Sequence, residues 1–379
     1  MGKRKKGLLA KAGEALRTLV TRRIAFEFEN LPVVIRGASY RRIGNWLAAE
    51  LAVLARARKP WGMPTHVQIE TSTKCNQRCQ YCPVGQELAA QTGHLALETF
   101  QRFADAQKDT ALLFQLWGWG EPFLNRDIFA MIGYARKLGI PTVSSSNGQL
   151  FAQPEMARQV VESGLDYLIV SVSGISQETY GRFRPGSEWE KVAEGLRNIA
   201  EEKRRQGVRT PFVSLTFVVS KANEHETAGL PAMARELGVE AYSLKRLNPA
   251  STRSEKWVGD EYVAGDDRFV RLRYENGERV RTKYNKCKAL WQGTTLRSDG
   301  RVNACAYDFH GKETLGHAGR DGFVQIWTGK EYERMREQFG KDWNQISICK
   351  DCIYAFEGGS YEDAFAETVL LAEPAMRQG

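Results

Sequence analysis

Residues 66–82, HVQIETSTKCNQRCQYC, lead from an apolar-rich stretch straight into three cysteines, Cys75, Cys79 and Cys82, with three and then two residues between them. Three thiolates on so short a loop suit a compact iron–sulfur cluster. They leave a four-ligand site one ligand short, so something other than protein can bind the fourth iron. Structural zinc normally takes a fourth Cys or His from a second pair close by, and neither His66 nor His94 completes one at the usual spacing. Disulfides fit poorly too: the seven cysteines are an odd number, and no signal-peptide pattern opens the chain.

Outward from this loop, apolar runs alternate with helical patterns. THVQIET (65–71), LLFQLW (112–117), IPTVSSS (140–146), DYLIVSV (166–172), FVSLTFVV (212–219) and EAYSLKR (240–246) read as strands. Between them the segments 96–107, 127–138, 154–163, 188–206 and 224–237 repeat apolar residues every three to four positions. Six such βα units predict a parallel sheet curled into a partial barrel, with functional residues on the loops at the carboxyl ends of the strands. A length of 379 residues allows two or three structural units and ample buried core.

The other four cysteines are Cys287, Cys305, Cys349 and Cys352. Asp299-Gly300, between TTLR and RVNAC, is a hairpin signal that brings Cys287 and Cys305 to one end of the hairpin, where the CKDC pair can join them. A zinc ribbon uses the same geometry, so the residues alone leave zinc and an iron–sulfur cluster open.

These motifs carry a resemblance. CNQRCQYC, with the aromatic Tyr81 before its last cysteine, resembles the cluster-binding loop of the radical S-adenosylmethionine (radical SAM) superfamily. Gly120-Glu121-Pro122 is similar to the family's "GGEP" motif and Ser146-Asn147-Gly148 to its "TNG" strand end. Ser171-Val172-Ser173-Gly174 is similar to "SxDG", with Ser at 173 where the family more often has Asp. The resemblance implies a four-iron four-sulfur cluster whose open iron is chelated by S-adenosylmethionine, and a 5′-deoxyadenosyl radical that abstracts a substrate hydrogen. By the same resemblance Gly120 and Glu121 lie against the methionine amino group, Ser171 approaches the ribose, and Tyr81, Ser146, Asn147 and Ser173 belong to the cofactor-binding set.

The C-terminal pattern resembles the auxiliary-cluster region of members with a SPASM or shortened "twitch" domain: DGRVNAC, Leu315-Gly316-His317, Ile326-Trp327 and a final CxxC stand in the family's order. This implies one auxiliary four-iron four-sulfur cluster held by Cys287, Cys305, Cys349 and Cys352. The resemblance is closest to twitch-type dehydrogenases that oxidise a secondary alcohol on an aminocyclitol and pass the electron to the auxiliary cluster. Arg184 in GRFRPG is then the candidate for contact with the substrate hydroxyl, and the expected electron donor is a flavodoxin or ferredoxin. The alternatives are a peptide-maturing member, a member acting on a lipid-linked substrate and, in another class, a non-enzymatic iron–sulfur or zinc protein.

Residues 1–60 hold 14 Lys and Arg against 4 Glu, while residues 61–379 hold 40 against 41 acidic residues, so the whole net charge of +9 comes from one arm. Leu8, Leu9, Ala12, Leu16, Leu19 and Val20 recur at helical spacing beside Lys5, Lys6, Lys11 and Arg17, a pattern that can lie on an anionic membrane. Ile43, Trp46, Leu47, Leu51 and Leu54 make a second stripe. Nucleic acid is not expected, because the rest of the chain has no basic excess to extend a phosphate-tracking surface. The expectation is therefore an α/β chain: a basic, helical N-terminal arm (1–60), a partial (β/α)6 TIM-like barrel (61–250), a linker (251–284), an auxiliary-cluster domain (285–356) and a C-terminal helix (357–379). It would work in the cytoplasm on a small or lipid-linked substrate, with peripheral contact at the inner face of the membrane.

Overall fold

Alternation along the six apolar runs sends one set of side chains out to covering helices and the other into a lumen. The computed structural model describes residues 8–87, 89, 92–248 and 262–374. Lys5 and Lys6 of the basic stripe, residues 249–261 with the start of the linker, and the final residues 375–379 lie outside the described residues. The elements follow as α1 (Leu8–Thr21), β1 (Ile24–Phe28), β2 (Leu31–Ile35), α2 (Tyr40–Leu54), β3 (His66–Ile69), α3 (Leu97–Asp105), β4 (Leu113–Gln115), α4 (Ile128–Lys137), β5 (Thr142–Ser146), α5 (Pro154–Glu162), β6 (Tyr167–Val172), α6 (Gln177–Phe183), α7 (Trp189–Gln206), β7 (Phe212–Val219), α8 (Leu230–Glu236) and β8 (Ala241–Arg246). The C-terminal region adds β9 (Tyr274–Glu275), β10 (Glu278–Arg279), α9 (Ala289–Gln292), β11 (Gly293–Leu296), β12 (Arg301–Asn303), β13 (Thr314–His317), α10 (Phe323–Trp327), α11 (Lys330–Asp342) and β14 (Phe365–Leu370).

Strands β3 to β8 are sequential parallel neighbours, as the periodicity predicts. On β6, Leu168, Val170 and Val172 share one core with Val160 of α5 and with Val192 and Leu196 of α7. Tyr167 and Ile169 belong to a separate apolar cluster on the opposite face. The sheet continues past both edges of this unit to ten strands: β11 joins β3 in parallel, β12 and β13 follow antiparallel, and β14 pairs antiparallel with β8.

Two expectations are corrected here. The C-terminal helix is instead the strand β14, because the open edge of β8 offers backbone partners along Phe365–Leu370 that outweigh the helical propensity of Ala, Glu and Leu. The N-terminal arm is not only helical: between α1 and α2 lies a hairpin in which Ile24 pairs with Ile35 and Phe28 with Leu31. Glu29 and Asn30 form its two-residue turn, both left-handed (φ 49° and 56°). Leu31 and Val33 of this hairpin pack with Leu113, Val143, Tyr167, Ile169, Phe212 and Ala241, one or two residues from each of β4 to β8. Phe26 meets His66 of β3 edge-on at 4.8 Å, and the Tyr167 hydroxyl donates to Pro32 O at 2.9 Å. The hairpin thus fills the lumen from the amino ends of the strands.

Candidate active site

The cysteine loop leaves the carboxyl end of β3 and is tied down by the ends of the neighbouring strands. Glu121 N donates to Lys74 O at 2.8 Å. A Cβ on Gly120 would stand 2.4 Å from Ser72 O and 2.6 Å from Lys74 O, so glycine is needed for the two loops to touch. At Gly85 a Cβ would stand 2.3 Å from Cys79 O, which shows how tightly the loop folds back on itself. Asn147 Nδ2 lies 3.9 Å from Cys75 Sγ and donates to Asn76 Oδ1 at 2.7 Å. Cys82 Sγ lies 3.9 Å from Trp119 O, and Cys79 Sγ 3.6 Å from Gln77 Oε1.

Burial pushes the Cys75 thiol up to about 12 and the Cys82 thiol up to about 11, and raises Cys79 as well, against the pull of the Arg184 guanidinium. Three thiols so placed keep their protons at neutral pH unless cations stand among them, and the irons of a cluster would supply that charge. The donor set therefore fits a cluster. Among the described residues no three His, Cys, Asp or Glu side chains converge as one bound metal ion requires.

Around the loop the expected polar residues come together. Glu121, 2% exposed, accepts from Phe123 N (3.2 Å), Ser146 Oγ (2.9 Å) and Asn147 N (2.8 Å), and burial still pushes its carboxyl up to about 7. Glu121 thereby binds the Ser146-Asn147 strand end to the Gly120 strand end. Arg184, at the C-terminus of α6 and 4% exposed, donates from Nε to Ser173 Oγ, from Nη1 to Gln77 Oε1 and from Nη2 to Ser171 Oγ, each at 3.2 Å. The Tyr81 hydroxyl is hydrogen-bonded to Ser173 Oγ. Arg184 thus gathers the Ser171 and Ser173 strand end onto the cysteine loop, and these three partners are uncharged.

In the C-terminal site the thiols are served by their own turns. Ala289 N donates to Cys287 Sγ (3.5 Å), Tyr307 N to Cys305 Sγ (3.4 Å) and Tyr354 N to Cys352 Sγ (3.4 Å), each amide lying two residues beyond its cysteine. Amide-to-sulfur bonds of this kind tune the potential of a bound cluster. The sulfurs of Cys287 and Cys352 lie close enough to Cys305 to raise its thiol electrostatically, after burial as the larger cause. Cys349 opens the turn that Cys352 closes, with Cys352 N 3.3 Å from Cys349 O.

Several contributors escape the sequence reading. Trp119 lies between the two cysteine sets: its carbonyl is against Cys82, and its indole Nε1 donates at 2.7 Å to Ala306 O, the residue after Cys305. Glu70 and Arg297 make an ion pair of 3.1 Å, almost without solvent contact, that joins β3 to the auxiliary hairpin. Arg56 donates to Cys287 O (3.1 Å) and Asn285 O (2.7 Å) and stacks on Tyr284, Trp291 and Phe339. Trp119 had a signal, its place beside Gly120. Arg56 had none, since its partners are more than two hundred residues away.

The Radical SAM superfamily model matches residues 69–229, and the SPASM model, an iron–sulfur cluster-binding domain, matches residues 287–353. These models imply a four-iron four-sulfur cluster that binds S-adenosylmethionine and an auxiliary cluster. Among curated proteins, an AdoMet-dependent heme synthase of Methanosarcina barkeri is 27% identical over 215 residues, covering 56% of this chain and 58% of the relative. An Fe-coproporphyrin III synthase of the same organism is 29% identical over 233 residues, 60% of this chain and 54% of the relative. The chain thus spans little more than half the length of these relatives. Among solved structures, Streptococcus suis SuiB bound to its precursor peptide SuiA aligns with a TM-score of 0.59 at 15% identity, covering 93% of this chain and 83% of SuiB, a likeness of fold. Since the two family models together cover more than half of its residues, the chain belongs to the radical SAM superfamily, as a member with a C-terminal SPASM domain.

Proposed function

We propose that the chain is a radical SAM oxidoreductase that removes two electrons from a carbohydrate- or cyclitol-like alcohol. Cys75, Cys79 and Cys82 would hold the cluster that binds S-adenosylmethionine, and Cys287, Cys305, Cys349 and Cys352 the auxiliary cluster. When bound, these groups supply a 5′-deoxyadenosyl radical that abstracts a substrate hydrogen and an acceptor for the electron left behind. The observation that supports oxidation is Trp119, which touches Cys82 and bonds to the residue beside Cys305, so that an auxiliary site with a full set of cysteines lies one side chain from the cysteine loop.

The chain's own residues position and shield. Gly120 and Glu121 hold the strand end that receives the methionine amino group, and Ser146 and Asn147 are locked to it through the Glu121 carboxylate. Ser171 and Ser173 receive the ribose end. Arg184 directs N–H donors at Ser173, Gln77 and Ser171 and also bonds to the Tyr81 hydroxyl. The edge of the guanidinium left beside these contacts holds the substrate hydroxyl, whose proton passes to water more easily beside a buried cation.

Incubation of anaerobically reconstituted protein with dithionite, S-adenosylmethionine and polyols deuterated at carbon tests this reading. The expected result is deuterium in 5′-deoxyadenosine together with a ketone product. Deuterium delivered instead from a peptide, or abstraction without oxidation, overturns it.

A flavodoxin or ferredoxin donates the electron that starts the reaction. The outer face of α1 rests on an anionic membrane: Leu16 and Val20 are 64% and 76% exposed, Leu19 shares their face, Thr18 is buried on the other side, and Arg17, Arg22 and Arg23 lie exposed nearby. Among the described residues no helix is long and apolar enough to cross a bilayer. Flotation with phosphatidylglycerol vesicles should carry the wild-type protein, and Leu16→Glu with Val20→Glu should leave it in solution.

A further inference from the structure

The tip of the N-terminal hairpin does more than fill the barrel. Leu31 and Val33 pack on residues near the amino ends of β4 to β8, so the hairpin runs up the lumen and its turn comes to lie towards the carboxyl ends of the strands. There Phe28 meets Trp117, just beyond β4, with ring centroids 5.8 Å apart. Glu29 Oε2 accepts from Lys245 Nζ at 2.6 Å, and Glu29 N donates to the Tyr361 hydroxyl.

Register fixes where this pair sits. Ser171, Thr216 and Ser243 share one rung across β6, β7 and β8. Lys245 is the next position beyond Ser243 on the same face of β8 and pairs with Val218. Two strand spacings of about 4.8 Å put the backbones of β6 and β8 roughly 10 Å apart at this height. The Glu29–Lys245 pair therefore lies two strands along the sheet from Ser171, which Arg184 holds, and one step beyond its rung on the same face.

A purely structural role explains the pair poorly. The pair is only partly buried, with the Lys245 side chain 30% and the Glu29 side chain 13% exposed, so it adds little to stability, and the apolar residues of the hairpin already anchor it. The turn also places Glu29 in the left-handed region, where a side chain is disfavoured. An ammonium has three N–H donors; Lys245 gives one to Glu29 and stands 5.1 Å over the Phe365 ring, while the Glu29 carboxylate also accepts from Tyr361.

We propose that Glu29 and Lys245 are a substrate-orienting pair on the floor of the reaction chamber. The ligand is a small polyhydroxylated molecule: Lys245 donates to one of its oxygens and Glu29 accepts from a hydroxyl or ammonium group. This rests on the reading of the barrel as the chamber of a small-molecule oxidoreductase.

The test uses the full chain with both clusters reconstituted and S-adenosylmethionine bound, and titrates it calorimetrically with 2-deoxystreptamine, an amino polyol. Glu29→Gln and Lys245→Met should each weaken binding at least tenfold with no change in iron content. Binding equal to wild type in both variants overturns the pair. If wild type does not bind the probe, the amino-polyol class falls, and a second measurement still decides the position of the pair. In Lys245→Cys, S-adenosylmethionine should slow mixed-disulfide formation between the introduced thiol and a small methanethiosulfonate severalfold. A rate indifferent to S-adenosylmethionine removes Lys245 from the chamber.

Discussion

Cys75, Cys79 and Cys82 sit within eight consecutive residues, whereas the C-terminal set is spread from residue 287 to residue 352, yet the dispersed thiols are as well served by their own turns as the compact ones. Three of them accept an amide from two residues ahead. The compact loop has amides of its own as well, from Gln77 to Cys75 and from Val84 and Gly85 to Cys82, and is further shaped from outside, by Asn147, Trp119 and Arg184 on three different strand ends or loops. Sequence compactness and structural self-sufficiency are thus separate properties. A site that must leave one position open takes walls from the barrel in addition to its own turn.

Cysteine replacement should break this comparison most sharply. Wild type should hold about eight irons, and Cys79→Ala about four with no 5′-deoxyadenosine formed. Cys349→Ala should also fall to about four irons, yet retain some uncoupled cleavage of S-adenosylmethionine. Iron analysis beside product chromatography checks both.

Arg184 probes how far the compact site depends on distant support. Arg184→Met strips a buried charge from three partners and should lower kcat/KM for S-adenosylmethionine cleavage by about a hundredfold, equivalent to about 3 kcal/mol. Arg184→Lys should recover little, since an ammonium cannot reach Ser171, Ser173 and Gln77 in one plane. Steady-state kinetics with the full chain decides this.

The closed site has its own external dependence, on Arg56. Arg56→Ala removes two carbonyl contacts beside Cys287 and a cation from three aromatic rings. It should lose auxiliary iron selectively, severalfold faster than wild type on exposure to a chelator, while the signal of the first cluster persists in electron paramagnetic resonance. Equal loss from both sites would erase the contrast.

The smallest effect concerns the hairpin. Burial, with Lys288 nearby, pushes the His66 ring down to about 4 from an ordinary 6.5. Between these values the unfolded chain binds the proton and the folded chain does not. Stability should therefore fall as pH drops from about 6.5 to 4, by on the order of 2 kcal/mol. Denaturant melts of wild type and His66→Gln should converge at the acid end of that window.

The six barrel strands and both cysteine sets were legible because each announces itself within a few residues, through alternation or spacing. The hairpin was legible in principle: Ile24, Phe26 and Phe28 alternate on one side of Glu29-Asn30, and Leu31, Val33 and Ile35 on the other. The density of Arg and Lys around it drew the reading to an amphipathic arm instead. Strand β14 was not legible, because Phe365–Leu370 becomes a strand only where β8 offers an edge. Nor were the links made by Arg56 and by Glu70 with Arg297, whose partners meet only after the chain has folded.

The placement of β11 and β14 bears on how the molecule is made. The parallel strands β3 to β8 are flanked on one side by residues 293–296 and on the other by residues 365–370. During synthesis the six strands emerge with both margins bare, a template for pairing with other nascent chains, and such long-range closures are slow to form. Aggregation is therefore a greater hazard for the half-made polypeptide, whose bare margins are β3 and β8, than for the finished one, whose margins are β13 and β14. Recombinant yield should respond to slower translation, lower temperature or holdase chaperones more than to additives that stabilise the native state.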